Sequence, residues 1–183
     1  DLDMSKFSHT PAPSGNKLLM NIGGYWSGGL QNNWEAFWAA YKSGDKIKEA
    51  MSSGGKTFSG VVLDLETANG YAYVPKLEDL TAFIGNCKRL GLLCFVTCMS
   101  GETAGYVKSL DGSGVDAVIP MLYNGSFVQA YIDNWKAGAS ETGAPLIAGI
   151  DHKYEDKYTF LDDTPSPDGL FVWGYGSGGG NAT

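Results

Sequence analysis

The stretch SGVVLDLETANG, residues 59–70, sets two carboxylates, Asp64 and Glu66, one residue apart at the end of an apolar run. On an extended strand, residues two apart face the same side, about 6.6 Å apart along the chain. The spacing predicts both acids on one face of a strand end, with Leu63 and Leu65 on the other. Two carboxylates in a site partly closed to water repel, so one pKa is pushed up and that group holds its proton near neutral pH. Such a group is a general acid, which glycoside hydrolysis needs to protonate its leaving oxygen. The competing reading is structural: the acids cap the next helix, with Glu66-Thr67 at its start, or pair with a lysine.

The elements that would position them follow from a rhythm of short apolar runs separated by longer amphipathic stretches. The runs KLLMNI (17–22), GVVLDL (60–65), LLCFVT (92–97), VDAVIPML (115–122), PLIAGI (145–150) and LFVW (170–173) are continuous rather than alternating. Strands buried on both faces read this way. Between them, residues 34–43 place Trp34, Phe37, Trp38 and Tyr41 on one helical face. Residues 76–91 repeat the pattern with Leu77, Leu80, Phe83, Ile84 and Cys87, and Gly91 is a suitable residue just past the helix end. Residues 126–140 and the ragged 45–53 read as further helices.

Strand and helix in alternation imply parallel strands with right-handed crossovers. An open sheet binding a nucleotide should carry a glycine-rich phosphate turn after an early strand. IGGYWSGGL (22–30) fits neither GxGxxG nor a P-loop, since no lysine follows. A barrel instead gathers its functional residues at the C-terminal ends of several strands. Asp64 and Glu66, Tyr123 and Asn124, Asp151 and His152, and Trp173 all fall at such ends. The expected fold class is therefore α/β and TIM-barrel-like, parallel strands alternating with helices, with about six of eight strands recognisable.

The 183 residues suit one domain, expected over 17–176. Residues 1–16, without periodicity and with Pro11, Pro13 and Gly15, read as an arm, and 177–183 as a glycine-rich tail. A net charge of −7 and the absence of a basic stripe set nucleic-acid binding aside. No apolar run reaches the roughly 18 residues of a membrane span. Cys94 and Cys98 share a strand, where four residues span about 13 Å, too far for a disulfide. Three buried thiols, or a Cys87 bridge to one of the others, remain as readings. A zinc site is not expected with only His9 and His152, and no nucleotide or redox cofactor is implied. The sequons at Asn124 and Asn181 favour an extracellular location, while free thiols pull the other way.

Several of these stretches carry a family resemblance. KLLMNIGGYWSGG resembles the third-strand motif of family 18 glycoside hydrolases (chitinases and endo-β-N-acetylglucosaminidases), where a small polar residue precedes Gly-Gly. GVVLDLE resembles their fourth strand, DGxDxDxE, and IPMLYNG (119–125) their sixth, with Met121 and Tyr123 in its Met-x-Tyr ending. GLFVWGY (169–175) resembles the eighth, and PLIAGID (145–151) is placed like the seventh. The match runs from about residue 17 to 175.

The resemblance implies a hydrolase of β-linked N-acetylglucosamine glycans. Glu66 would be the proton donor, and Asp64 would orient the substrate's own acetamido oxygen, which attacks the anomeric carbon with retention. Tyr123 would hydrogen-bond the acetamide, Asn124 and Met121 would contact the same sugar, and Trp173 would floor it. Gly24 belongs to the Gly-Gly pair, and Tyr25 and Trp26 would line a neighbouring subsite. Core packing is the alternative for Trp173 and Tyr123, and it is the expectation for most of Trp34, Trp38 and Trp135.

The chain departs from that pattern. Ser59 and Val62 replace the first two acids of DGxDxDxE, and Asn21 replaces serine on the third strand. Val62 deprives Asp64 of the acid that normally tunes it. The first two barrel strands have no counterpart, so two sheet edges need covering: by residues 1–16, by another copy as a homo-oligomer, or by a further N-terminal segment. Two other functions therefore stand beside the hydrolase: an inactive glycan-binding or storage protein on the same scaffold, and an unrelated α/β enzyme using the two acids differently.

Overall fold

A computed structural model of the chain describes residues 17–24, 33–52, 57–66, 72–123, 128–162 and 167–173. The expected arm over 1–16, the tail over 177–183, Tyr25, Trp26 and Asn124 lie outside the described residues. Of Trp173 and His152 only the backbone is described. The chain divides into two compact units, Asp1–Cys94 and Phe95–Thr183.

In the first unit, β1 (Leu19–Gly23) and β2 (Gly60–Asp64) pair in parallel. Helices α1 (Trp34–Tyr41) and α2 (Gly44–Met51) follow β1, and α3 (Leu77–Arg89) follows β2. Every residue of β2 is buried, as its unbroken apolar run requires. Helical spacing sets the packed faces: Trp34, Phe37 and Trp38 on α1, and Leu80, Phe83, Ile84 and Cys87 on α3. Leu77 departs from expectation and is 48% exposed. It opens the helix, and Cβ bonds tilt toward the helix N-terminus, so its side chain projects past the end of the packed face.

The end of α3 matches its sequence signal. Gly91 has φ of 71°; its N–H donates to the Lys88 carbonyl at 3.0 Å and the Leu92 N–H to the Cys87 carbonyl at 2.9 Å. These two bonds form a Schellman closure, for which a glycine tolerates the left-handed conformation at least cost. The chain then enters β3 (Leu93–Met99), and the Leu93 N–H donates to the Ser59 carbonyl at 3.0 Å. A Cβ on Gly60 would run into the Leu93 carbonyl oxygen and stand 2.6 Å from Leu93 Cβ, so β2 and β3 meet where glycine leaves room.

The second unit takes up β3 from Phe95 and continues through α4 (Thr103–Ser109), β4 (Ala117–Met121), α5 (Gln129–Ser140), β5 (Ala148–Asp151) and β6 (Leu170–Trp173). The β3–β4, β4–β5 and β5–β6 pairs are all parallel. Helix α4 was not expected, because GETAGYVKS shows no apolar spacing. Its start is held by the Thr103 hydroxyl, which donates to the Ser100 carbonyl at 2.7 Å. Tyr106 and Val107 bury one side. Gly138 of α5 lets that helix approach closely, since a Cβ there would stand 2.9 Å from Thr103 Cβ.

Strands neighbour one another in the order of the chain, β1 to β6, in one six-stranded sheet. A doubly wound nucleotide-binding sheet reverses its order at a switch point, where the ligand binds. This order never reverses. The fold is α/β and TIM-barrel-like, with parallel strands alternating with helices. No helix among the described residues is long and apolar enough to cross a membrane.

Cys87, Cys94 and Cys98 are buried thiols with no disulfide among them, which decides between the two readings of the thiols. Burial pushes the Cys98 thiol up from its ordinary range; the Glu102 charge adds to this and a hydrogen bond with Thr103 opposes it. The thiolate, which is the reactive form, is therefore suppressed. We expect no thiol of the native protein to be alkylated at pH 8 over a time in which the urea-unfolded chain reacts fully at all three, as read by intact mass. Alkylation of Cys98 at the unfolded rate would contradict this burial.

Candidate active site

The two acids stand at the C-terminal end of β2. The β1–β2 register sets Asn21 against Val62, Ile22 against Leu63 and Gly23 against Asp64. Paired residues share a face, so Asp64 lies with Val62 and Asn21, on the face opposite Leu63 and Ile22. The expected opposition of Asp64 and Leu63 is present. Asp64 is only 3% exposed.

Glu66 is placed differently from the sequence expectation. The strand stops at Asp64 rather than running through Leu65. The Glu66 N–H donates to the Asp64 carbonyl at 2.8 Å, an i+2 to i bond that closes a three-residue turn. Glu66 then makes an isolated antiparallel bridge with Ala72. Two-residue alternation, which presumes an extended chain, does not reach Glu66. Its side chain is half-buried.

Close contacts hold this turn. The Gly24 N–H donates to the same Asp64 carbonyl at 2.9 Å, and the Tyr73 N–H to the Leu65 carbonyl at 3.0 Å. The Trp34 indole N–H reaches the Glu66 carbonyl at 3.4 Å. Gly24 has φ of 85°, and a Cβ there would stand 2.5 Å from Asp64 Oδ2. A Cβ on Gly23 would stand 2.7 Å from Trp34 Cζ2. The glycine pair is thus fitted to the carboxylate on one side and to an indole on the other.

Trp34 forms an aromatic wall under the turn. Its ring stacks on Tyr73, with centroids 4.9 Å apart and planes 7° apart, and on Trp38 at 5.6 Å. The Trp38 indole N–H donates to the Tyr73 hydroxyl at 3.0 Å. Helical spacing correctly marked Trp34 and Trp38 as packed residues. No sequence signal showed Trp34 reaching the Glu66 carbonyl, and Tyr73, in a short stretch without periodicity, was missed.

Met121, Tyr123 and Trp173 belong to the second unit, whereas Asp64, Glu66 and Gly24 belong to the first. Met121 ends β4 and is buried, and Tyr123 follows half-buried. The Leu122 N–H donates to the Gly149 carbonyl at 2.8 Å. Trp173 ends β6, in register with Asp151, the last residue of β5. Asp151 Oδ1 accepts from the Lys153 N–H at 3.0 Å. Tyr158, which sequence reading did not mark, bonds to both Leu122 and Asp151. Burial, first of all, raises its phenol pKa above the ordinary value; the Asp151 amide hydrogen bond opposes this, while the nearby Asp151 charge and Tyr154 add to it.

Neither a scan against protein-family models nor a search of curated proteins gives a match to this sequence.

The fit of Gly24 to Asp64 yields a direct test. Gly24→Ala forces a Cβ against the carboxylate at a positive φ, and we expect it to lower stability by about 1–3 kcal/mol. Urea denaturation reads the loss, and the carboxyl carbon shift of Asp64 should move. An unchanged midpoint and an unchanged shift would contradict the close fit.

Proposed function

We propose that this chain is a glycoside hydrolase acting on β-linked N-acetylglucosamine glycans, either chitin-like or of the N-glycan core, by substrate-assisted catalysis with retention. The observation that carries this reading is the burial of Asp64 at the C-terminal end of a parallel strand, fitted against Gly24 and followed by half-buried Glu66. In TIM-barrel-like folds that end of the strands is where chemistry is done.

In this mechanism the Glu66 carboxyl gives its proton to the glycosidic oxygen as the bond from that oxygen to the anomeric carbon breaks. The acetamido oxygen of the same sugar bonds to the anomeric carbon from the opposite face, forming a cyclic oxazolinium. Asp64 accepts the acetamide N–H and offsets the positive charge that develops, an electrostatic role suited to a carboxylate shielded from water. The Glu66 carboxylate then takes a proton from water as that water opens the ring, restoring the original anomeric configuration. Tyr123, Asn124 and Met121 are the proposed contacts to the reacting sugar, Trp173 its floor, and Tyr25 and Trp26 the lining of the next subsite. An extracellular location and a homo-oligomer formed through sheet edges belong to the same proposal.

Val62 favours a second reading. It is 3% exposed and shares the Asp64 face, so an apolar side chain stands where the resembled family carries an acid. An Asp64 without that neighbour suits a protein that binds glycan without cleaving it.

Incubation of wild type and Glu66→Gln with a chitooligosaccharide and with a high-mannose glycopeptide, read by mass spectrometry, separates the readings. Removing a general acid should cost at least about 100-fold in turnover while leaving binding within a few-fold. Equal turnover by the mutant would sink the mechanism. Binding by wild type with no cleavage over long incubation would establish the second reading.

A further inference from the structure

Tyr158 comes from the segment between β5 and β6 and is buried. Its hydroxyl donates to the Leu122 carbonyl at 2.8 Å and accepts from the Asp151 N–H at 2.9 Å. One phenol oxygen therefore bridges the residue just past β4 and the last residue of β5. The Leu122 N–H is already engaged with the Gly149 carbonyl at 2.8 Å. Both peptide groups of Leu122 are held, one by β5 and one by Tyr158, which leaves Tyr123 beyond it little freedom to move.

We propose that Tyr158 is a positioning residue whose hydroxyl clamps the ends of β4 and β5 and so fixes Tyr123 and Asp151 for work on substrate. A tyrosine suits this because its hydroxyl both donates and accepts. Phenylalanine would fill the same space and supply neither bond. The inference rests on the hydrolase reading for its consequence in turnover, but the clamp has a readout of its own.

The test uses the full chain with Tyr158→Phe, and with Phe160→Leu as a packing control. Phe160 is buried beside Tyr158, with ring centroids 6.3 Å apart, and lacks a hydroxyl. Two measurements are made: kcat and KM on a chitooligosaccharide, and amide hydrogen exchange of Asp151 by NMR without ligand. In Tyr158→Phe, kcat should fall about tenfold or more with KM changed much less, since misplacement of a group costs rate more than binding. The Asp151 amide should exchange about tenfold faster, while the Val118 amide, bonded to the Pro145 carbonyl at 2.8 Å, keeps its rate.

Unchanged Asp151 exchange in Tyr158→Phe overturns the clamp. An equal loss of kcat in Phe160→Leu, at matched loss of stability, overturns the special role of the hydroxyl. Wild type alone also bears on it: an Asp151 amide exchanging like an exposed loop overturns the clamp whatever the variant does. Loss of protection in the variant of a wild type that cleaves nothing upholds the clamp and defeats the hydrolase reading.

Discussion

A carboxyl group withdrawn from water at the end of a strand constrains what surrounds it, because a buried polar group must be accommodated by whatever packs against it. Asp64 is such a group, and the chain around it is cut to fit. Its carbonyl takes two N–H donors, one from Gly24 across the sheet and one from Glu66 just ahead. Its carboxylate lies where a side chain on Gly24 would have to be. Gly23 is bounded in turn by the Asp64 carbonyl and the Trp34 ring. The glycine pair after β1 is therefore set by the acid and the indole, and neither position has room for a methyl group.

The two units solve a shared problem in a similar way. Main-chain carbonyls just past a strand end have left the ladder and need another donor. In the first unit the Trp34 indole N–H serves the Glu66 carbonyl, and in the second the Tyr158 hydroxyl serves the Leu122 carbonyl. Both donors are aromatic side chains from outside the strands they serve. A rigid ring with a polar tip fills apolar space and places its donor with few rotatable bonds. Residues that follow strand ends, where the candidate chemistry lies, are thereby held without further sheet.

Much of this was legible in the sequence. Continuous apolar runs located the strands among the described residues, most plainly β2 and β4, which are buried along their whole length and leave no polar alternation to confuse the reading. The spacing of Trp34, Phe37 and Trp38, and of Leu80, Phe83, Ile84 and Cys87, gave the packed helix faces. Gly91 gave a helix end. Helix α4 was hidden because Thr103–Ser109 is anchored by the Thr103 hydroxyl bonding back to the Ser100 carbonyl and by contact with Gly138, neither of which leaves a periodic pattern. The course of the chain at Glu66 was misjudged for a related reason. The turn there depends on partners at Gly24, Trp34 and residues 72–73, which local alternation does not register. Tyr158 escaped notice because a single tyrosine in an irregular stretch carries no spacing signal.

The unreversed strand order has a consequence for how the chain is made. Each strand pairs with one that left the ribosome shortly before it, so its partner is already present when it emerges. Pairing between successive strands spares the chain any longer-range pairing, although partners such as Leu19 and Gly60, or Phe95 and Ala117, still lie a whole crossover apart, and each pairing must close that connection. The sheet can thus be laid down in the order of translation, without waiting for the C-terminus to arrive.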